Sequence, residues 1–188
     1  MKRPEVHEHP VIRVGSLALR PTTEVDLDLL TEWFTNPEVF RWWGGRPLSR
    51  EEVAAKYTGR RCPRVESHIV ELGGQPIGYI QYHLEGPGEA GLDMMLLPEF
   101  RDRGIGPRAA RAMVAHLKAT FGWTDITVDP AKDNPRAIRA WHKVGFTEES
   151  EWPDHPDGPA LLMRLGRSTP VGTSCQSRVR STQSRPNT

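Results

Sequence analysis

The sequence lacks the long apolar segments and the cysteine pairs that mark membrane-spanning and disulfide-stabilised proteins. No apolar run approaches the roughly 20 residues that a membrane span needs, and residues 1–14 have no apolar core of signal-peptide length. Only two cysteines are present, Cys62 and Cys175, far apart and without the neighbours of a metal site. We therefore expect a cytoplasmic protein with no structural disulfide, no metal and no membrane partner.

Acidic residues outnumber basic ones once the C-terminal segment is set aside. The whole chain has a net charge of +1, but residues 167–188 hold four of its 25 basic residues and none of its 24 acidic ones, so residues 1–166 have a net charge of about −3. An acidic body attracts cationic substrates. The tail is rich in Ser, Thr, Pro and Gln, which predicts disorder. Its spaced arginines, without aromatic residues, do not predict nucleic-acid binding.

The length predicts one compact domain. We expect a flexible arm over residues 1–14, a folded domain over residues 15–166 and a disordered basic tail over residues 167–188. Periodicity and turn residues predict strands at 16–20, 67–72, 75–84, 90–97, 125–128, from 146 and at 160–165, and helices at 24–35, 50–58, 107–121 and 135–144. Antiparallel strands followed by a strand–helix–strand–helix order predict an α/β sandwich with a mixed sheet.

A glycine loop, RDRGIG at residues 101–106, joins the apolar strand at 90–97 to the longest predicted helix. Gly104 and Gly106 permit a sharp bend and the close approach of a ligand. Backbone N–H groups of such a loop and of a helix N-terminus favour phosphate oxygens. The loop lacks the third glycine of the Rossmann fingerprint and the Gly-Lys-Ser/Thr of a P-loop. It predicts a phosphate site of another kind, with a plain strand-to-helix turn as the alternative.

These features together resemble the GNAT acyltransferase superfamily over about residues 17–165. The R-x-x-G-x-G of residues 101–106 is similar to the superfamily's pyrophosphate-binding motif. The N-x-x-A of residues 134–137 and the K-x-G-F of residues 143–146 resemble the segment that contacts the pantetheine arm of CoA. The family resemblance thus covers most of the predicted domain.

The resemblance implies a fold, a cosubstrate and a set of cofactor-binding residues. The fold is α/β, with a central twisted sheet that is mixed but mostly antiparallel, has splayed central strands and is flanked by about four helices. The cosubstrate is acetyl-CoA. The cofactor-binding residues implied are Met95, Leu96, Arg101, Arg103, Gly104, Ile105, Gly106, Asn134, Ala137 and Trp141.

Four further segments resemble the aminoglycoside 6'-N-acetyltransferases of that superfamily: WWGG at 42–45, GQPIGY at 74–79, DP at 129–130 and PDGPA at 156–160. They imply acetylation of the 6'-amine of an aminoglycoside, an activity of antibiotic resistance. The substrate-binding residues implied are Trp42, Trp43, Asp93, Asp129 and Asp157, with Asp93 as the catalytic base.

This implied site has a physical rationale. Carboxylates bind ammonium groups, and an indole ring offers a flat apolar face to a sugar. A carboxylate also accepts the proton that an ammonium group must lose before the amine attacks a thioester. Each residue has a structural alternative: Asp93 as the cap of a bulge or in an ion pair with a surface arginine, Asp129 and Asp157 in turns, and the tryptophans in the core.

One position departs from the superfamily's pattern. Trp141 stands where a tyrosine is usual, and that tyrosine is credited with protonating the departing thiolate of CoA. An indole N–H donates a hydrogen bond but is not an acid. His142 is not expected to replace it, because adjacent helix residues point about 100° apart. The general acid is therefore unassigned.

Other functions stay open at this point. The acceptor could instead be the hydroxylysine of a siderophore, a polyamine or a protein N-terminus, and the chain could be a non-catalytic acyl-CoA-binding module. The presence of Asp93 argues against the module. The preferred partner is a small cationic amine bound by a monomer or a homodimer.

Overall fold

Residues 10–166, the part of the chain that this computed structural model describes, contain one eight-stranded sheet. Its strands follow the order β1-β2-β3-β4-β5-β6-β8-β7. They are β1 Ile12–Val14, β2 Leu17–Pro21, β3 Val65–Leu72, β4 Gln75–Gly86, β5 Glu89–Leu96, β6 Asp125–Val128, β7 Phe146–Trp152 and β8 Ala160–Leu165. Every neighbouring pair is antiparallel except β5 and β6. The predicted mixed, mostly antiparallel sheet is confirmed.

The N-terminal limit of the sheet differs from the predicted domain boundary. β1 pairs with β2, so the sheet begins at Ile12 and the predicted boundary at residue 15 falls within a hairpin. Residues 1–9 of the predicted arm and the predicted tail, 167–188, lie outside the described residues.

The described residues contain five α-helices: α1 Leu27–Thr35, α2 Pro37–Phe40, α3 Arg50–Tyr57, α4 Ile105–Phe121 and α5 Pro135–Val144. Four match predicted helices, and α2 is an additional single turn. It forms because Asn36 accepts a hydrogen bond from the Glu38 N–H at 2.9 Å while Pro37 occupies the first helical position. None of the helices described is long and apolar enough to cross a membrane.

Helices cover both faces of the sheet, and each face buries its own apolar cluster. α1, α2 and α3 pack over one face, where Phe34 and Tyr79 are fully buried. α4 and α5 pack over the other, where Ile80 and Met113 are fully buried. Tyr79 and Ile80 are adjacent in β4 and point to opposite faces, as the two-residue period of a strand requires.

The central strands β5 and β6 separate after a short parallel contact. They pair only from Glu89–Asp125 to Gly91–Thr127. β5 continues to Leu96, still paired with β4 on its other side. A cleft therefore opens between β5 and β6 beyond Gly91, which confirms the expected splay.

Candidate functional site

The glycine loop leads into α4 and leaves several backbone donors unpaired. Gly104 has a φ of 73° and is the N-cap of α4, with no side chain capping the helix. α4 begins at Ile105, two residues earlier than predicted, so Pro107 is its third residue. Among the described residues, no hydrogen-bond acceptor pairs with the N–H groups of Gly104, Ile105 or Gly106. These donors and the positive end of the helix dipole favour the binding of an anion at the start of α4.

Cationic side chains surround this loop. Arg101 is only 12% exposed at its side chain and donates to the carbonyl oxygens of Leu96 at 2.9 Å and Glu38 at 2.8 Å. Its guanidinium therefore joins the loop to the end of β5 and to α2. Burial and the nearby charge of Arg136 lower the pKa of Arg101. Such a concentration of positive charge is relieved by a bound anion.

The cleft between β5 and β6, here called the strand cleft, begins at this loop and runs along residues 92–96 of β5. Pro130, Ala131 and α5 form its opposite wall. Asn134 caps α5 by accepting a hydrogen bond from the Ala137 N–H at 3.2 Å. Trp141 is 5% exposed and packs edge-on against Phe146 at 5.3 Å.

Eight of the ten predicted cofactor-binding residues line the strand cleft: Met95, Leu96, Arg101, Gly104, Gly106, Asn134, Ala137 and Trp141. The other two side chains do not. The guanidinium of Arg103 lies over the ring of Phe100, 5.8 Å from its centroid. The Ile105 side chain is buried in the core at 4% exposure, since it faces inward from the first turn of α4. Neither side chain therefore lines the cleft, whereas the backbone N–H of Ile105 is one of the unpaired donors at the start of α4.

A second depression, here called the acidic pocket, adjoins the strand cleft. All five predicted substrate-binding residues line it: Trp42, Trp43, Asp93, Asp129 and Asp157. Four of them, all but Asp157, also line the strand cleft. The two cavities therefore meet at Asp93 and Asp129. Ligands in the two would have their reacting ends at these carboxylates.

Asp93 is held on β5 by a polar row on β4. The Gln81 Nε2 donates to Asp93 Oδ2 at 2.7 Å. The Gln81 Oε1 in turn accepts hydrogen bonds from the Tyr79 hydroxyl at 2.7 Å and from Arg61 Nη2 at 2.9 Å. Because the guanidinium of Arg61 can only donate, the amide of Gln81 has one orientation, with its NH₂ towards Asp93.

His155 connects the carboxylate of Asp129 to the backbone of Asp157 in the acidic pocket. The Asp157 N–H donates to His155 Nδ1 at 3.2 Å, so the hydrogen of that ring lies on Nε2, which faces Asp129 Oδ2 at 3.2 Å. Burial raises the pKa of Asp129, and the charge of Asp93 raises it further. The pocket thus concentrates negative charge that a cation would relieve.

The two tryptophans have different roles in the pocket wall. Trp43 packs edge-on against Tyr79 at 5.7 Å and donates from Nε1 to the Tyr57 hydroxyl at 2.9 Å. It belongs both to the pocket and to the aromatic part of the core. Trp42 is half-buried, and the Arg41 guanidinium lies 4.7 Å from its ring centroid. Trp42 is therefore held in the pocket wall by a cation–π contact, and Trp43 by the aromatic core.

Several site residues were not predicted from the sequence. Gln81, His83 and His155 line the acidic pocket, and Arg136 and Arg139 line the strand cleft. The sequence held a signal for Gln81 and His83, because they are alternate residues of one predicted strand and alternate residues of a strand lie on one face. His142 lines neither cavity, and its Nδ1 lies 3.0 Å from the Phe146 carbonyl oxygen, so it is not placed to act as an acid. Within residues 10–166 no cluster of three or more His, Cys, Asp or Glu could hold a metal ion.

Comparison with known proteins gives consistent matches. A family model described as "Acetyltransferase (GNAT) domain" matches residues 16–147. An aminoglycoside N(6')-acetyltransferase type 1 from Klebsiella pneumoniae is 34% identical over 166 residues, which cover 79% of this chain and 82% of the relative. A spermidine N(1)-acetyltransferase from Escherichia coli (strain K12) is 25% identical over 142 residues, covering 72% and 75%. A solved structure of AAC(6')-Ib in complex with ribostamycin and coenzyme A is 32% identical, with a TM-score of 0.74 over 81% of this chain and 94% of that chain.

The glycine loop can be tested by a matched pair of substitutions at the two ends of α4. Gly104 and Gly122 have φ values of 73° and 70°, and a Cβ at either position would meet no atom within 4 Å. Valine should destabilise the protein similarly at both, because this backbone region costs an L-residue about 1–2 kcal/mol. Only Gly104→Val should redirect the anion-binding N–H groups. Since a hydrogen bond to a charged group contributes about 1.5–3 kcal/mol, its Kd for CoA should rise about tenfold or more.

Calorimetric titration with CoA checks this, with Gly122→Val as the control. Equal CoA affinity in the two folded variants would contradict a phosphate site at the loop.

Asp129 provides a test of the acidic pocket through stability. Its pKa is raised in the folded protein, so the stability that it contributes is present at low pH and is lost as the pH rises through the folded pKa. Asp129→Asn removes the buried charge and leaves an oxygen that can accept from His155. The variant should therefore be more stable than the wild type near neutral pH, with a difference that shrinks towards about pH 4.

Thermal unfolding across this pH range measures the effect. The exposed Asp154 lines neither cavity, so Asp154→Asn should leave the unfolding temperature unchanged at each pH. If Asp129→Asn were less stable than the wild type at neutral pH, the charged form of Asp129 would not be destabilising, and the raised pKa would be refuted.

Proposed function

This chain belongs to the GNAT acetyltransferase family, and we propose that it transfers the acetyl group of acetyl-CoA to the 6'-amine of an aminoglycoside antibiotic. The observation that carries the proposal is the junction of the two cavities. Trp42, Trp43, Asp93 and Asp129 line both the strand cleft and the acidic pocket. A cosubstrate in one cavity and a cationic acceptor in the other would therefore meet at a carboxylate.

The strand cleft fits acetyl-CoA, which supplies the activated acetyl group when bound. The unpaired N–H groups at the start of α4 would hold its pyrophosphate. Arg101 stiffens the loop through two backbone carbonyls, and Arg136 adds positive charge at the mouth of the cleft. The backbone of β5 beyond Gly91 has no partner strand on the cleft side, so its polar groups are free to bind an amide-containing chain.

The acidic pocket fits a polycationic aminosugar. Asp93, Asp129 and Asp157 provide three carboxylates for ammonium groups, and Trp42 provides a face for a sugar ring. Asp93 Oδ2 already accepts from Gln81, while Oδ1 accepts no hydrogen bond from the described residues. We assign Oδ1 to the acceptor's ammonium group, where it would orient the nitrogen and take its proton before attack on the thioester.

A polyamine is the second candidate acceptor, because the spermidine acetyltransferase of Escherichia coli is also a relative and the same carboxylates would bind a linear polycation. A polyamine has no ring to cover Trp42, which favours the aminoglycoside. A cytoplasmic location and a monomeric or homodimeric state remain predictions.

The substrate can be identified by thiol release from acetyl-CoA with a panel of amines. We expect turnover of kanamycin-type compounds and none of matched analogues that carry a hydroxyl at the 6' position, because the hydroxyl cannot provide the nucleophilic amine. Spermidine and a peptide with a free N-terminus serve as alternative acceptors. Turnover of spermidine without turnover of any aminoglycoside would replace the proposal with polyamine acetylation. If no amine of the panel led to thiol release, the result would favour a non-catalytic acyl-CoA-binding module.

Asp93→Asn tests the catalytic base. The amide keeps the shape of the carboxylate but cannot accept the proton, so kcat should fall by about 10²–10⁴-fold, the usual cost of losing a general base. Affinity for CoA should stay unchanged, because the glycine loop is untouched. Asp28→Asn is the matched control, since the Asp28 side chain is 85% exposed in a surface ion pair with Arg50. A kcat near that of the wild type would show that Asp93 is structural.

A further inference from the structure

His83 occupies the point where the strand cleft begins. It lies on β4 opposite Gly91 of β5, and Gly91 is also the last residue of β5 to pair with β6. A Cβ at position 91 would lie 2.3 Å from both Cε1 and Nε2 of the His83 ring. The imidazole therefore lies directly over the backbone of β5, in a space that exists only because residue 91 has no side chain.

The ring bridges two carboxylates on the same face of the sheet. Its Nδ1 lies 3.5 Å from Asp93 Oδ2, and its Nε2 lies 3.4 Å from Glu85 Oε1. Glu85 is itself fixed by a hydrogen bond of 3.0 Å from the Thr127 hydroxyl on β6. An imidazole satisfies two acceptors at once only when both of its nitrogens carry hydrogen.

The charges facing this ring favour its protonated form. The charged groups are Glu85 on its own strand, Asp93 on β5 and Asp129 after β6. The hydrogen bond to Asp93 raises the pKa of His83, and the partial burial of the ring opposes that effect. The imidazolium is thereby present over a wider pH range than that of a free histidine.

We propose that His83 is a positioning residue for acetyl transfer, which as imidazolium holds Asp93 Oδ2 and so presents Oδ1 to the ammonium group of the acceptor. Gln81 and His83 approach the same oxygen from neighbouring positions of β4, so the carboxylate is held from two directions. Without His83, Asp93 would keep only the Gln81 contact and could rotate about its terminal bond. The role assigned to Asp93 rests on the proposed function, whereas the pairing of His83 with Asp93 does not.

The pairing is tested without any acceptor, by NMR titration of the histidine ring signals in the wild type and in Asp93→Asn. The spectrum of His83→Gln assigns the His83 signal. We expect the pKa of His83 to be lower in Asp93→Asn than in the wild type. The signal of His116, which lines neither cavity, should not move. An unchanged pKa of His83 would overturn the proposal.

The positioning role is tested by kinetics with the acceptor that the panel identifies. His83→Gln should lower kcat about 10- to 100-fold, the size of loss that misplacement of a reacting group causes, with KM for acetyl-CoA unchanged. Gly91→Ala should reproduce the loss by displacing the ring, and the double variant should be no slower than either single one. Since the wild type loses the imidazolium as the pH rises, the ratio of wild-type to His83→Gln rates should shrink at high pH.

A rate within about twofold of the wild type, or a loss that is independent of pH, would overturn the role of His83. If His83→Gln fails to fold, the His83 signal is assigned instead by triple-resonance NMR of the wild type, and Gly91→Ala together with the titration of Asp93→Asn decides the question. Absence of aminoglycoside turnover by the wild type would contradict the proposed substrate alone, because the titration tests the pairing directly.

Discussion

The separation of β5 from β6 after Gly91 is the constraint on which the rest of the site depends. Two parallel strands that stayed paired to their ends would form a continuous sheet with no opening at its centre. Because pairing stops at Gly91 and Thr127, β5 exposes a backbone edge inside the molecule. Such an edge needs partners. The strand cleft, the glycine loop at its mouth and the acidic pocket at its inner end all follow from this opening.

The same opening explains where the charges lie. Positive groups and unpaired N–H donors gather at the start of α4, where β5 ends. Carboxylates gather on the opposite face, because alternate residues of β5 point to opposite sides and Asp93 faces α1–α3. This distribution would draw an anionic group to the start of α4 and a cationic group to Asp93 and Asp129. Burial and the charge of Asp93 raise the pKa of Asp129, because holding two carboxylates close together in a half-buried pocket disfavours their charged forms.

The acceptor side is stabilised by its contact with the aromatic core. Phe34 stacks on Tyr57 at 4.3 Å, and Tyr57 accepts the Trp43 N–H. The Tyr79 hydroxyl extends this cluster to Gln81 and so to Asp93. A polar row on a strand thus connects a rigid apolar cluster to the carboxylate of Asp93, the proposed catalytic base. This connection is what a site needs if its geometry is to be preorganised.

The sequence by itself determined the helices and strands, the glycine loop and most of the residues that would line the site. These features depend on neighbours in the chain: the apolar period, the capping residues and the glycines that permit a bend. Only the tertiary structure decided which distant residues meet, because the register of β4 against β5 places His83 over Gly91, and the turn at residues 153–158 brings His155 to Asp129. The tertiary structure also decided that two predicted side chains do not line the cleft. The Arg103 guanidinium lies over the ring of Phe100, and the Ile105 side chain packs into the core from the first turn of α4.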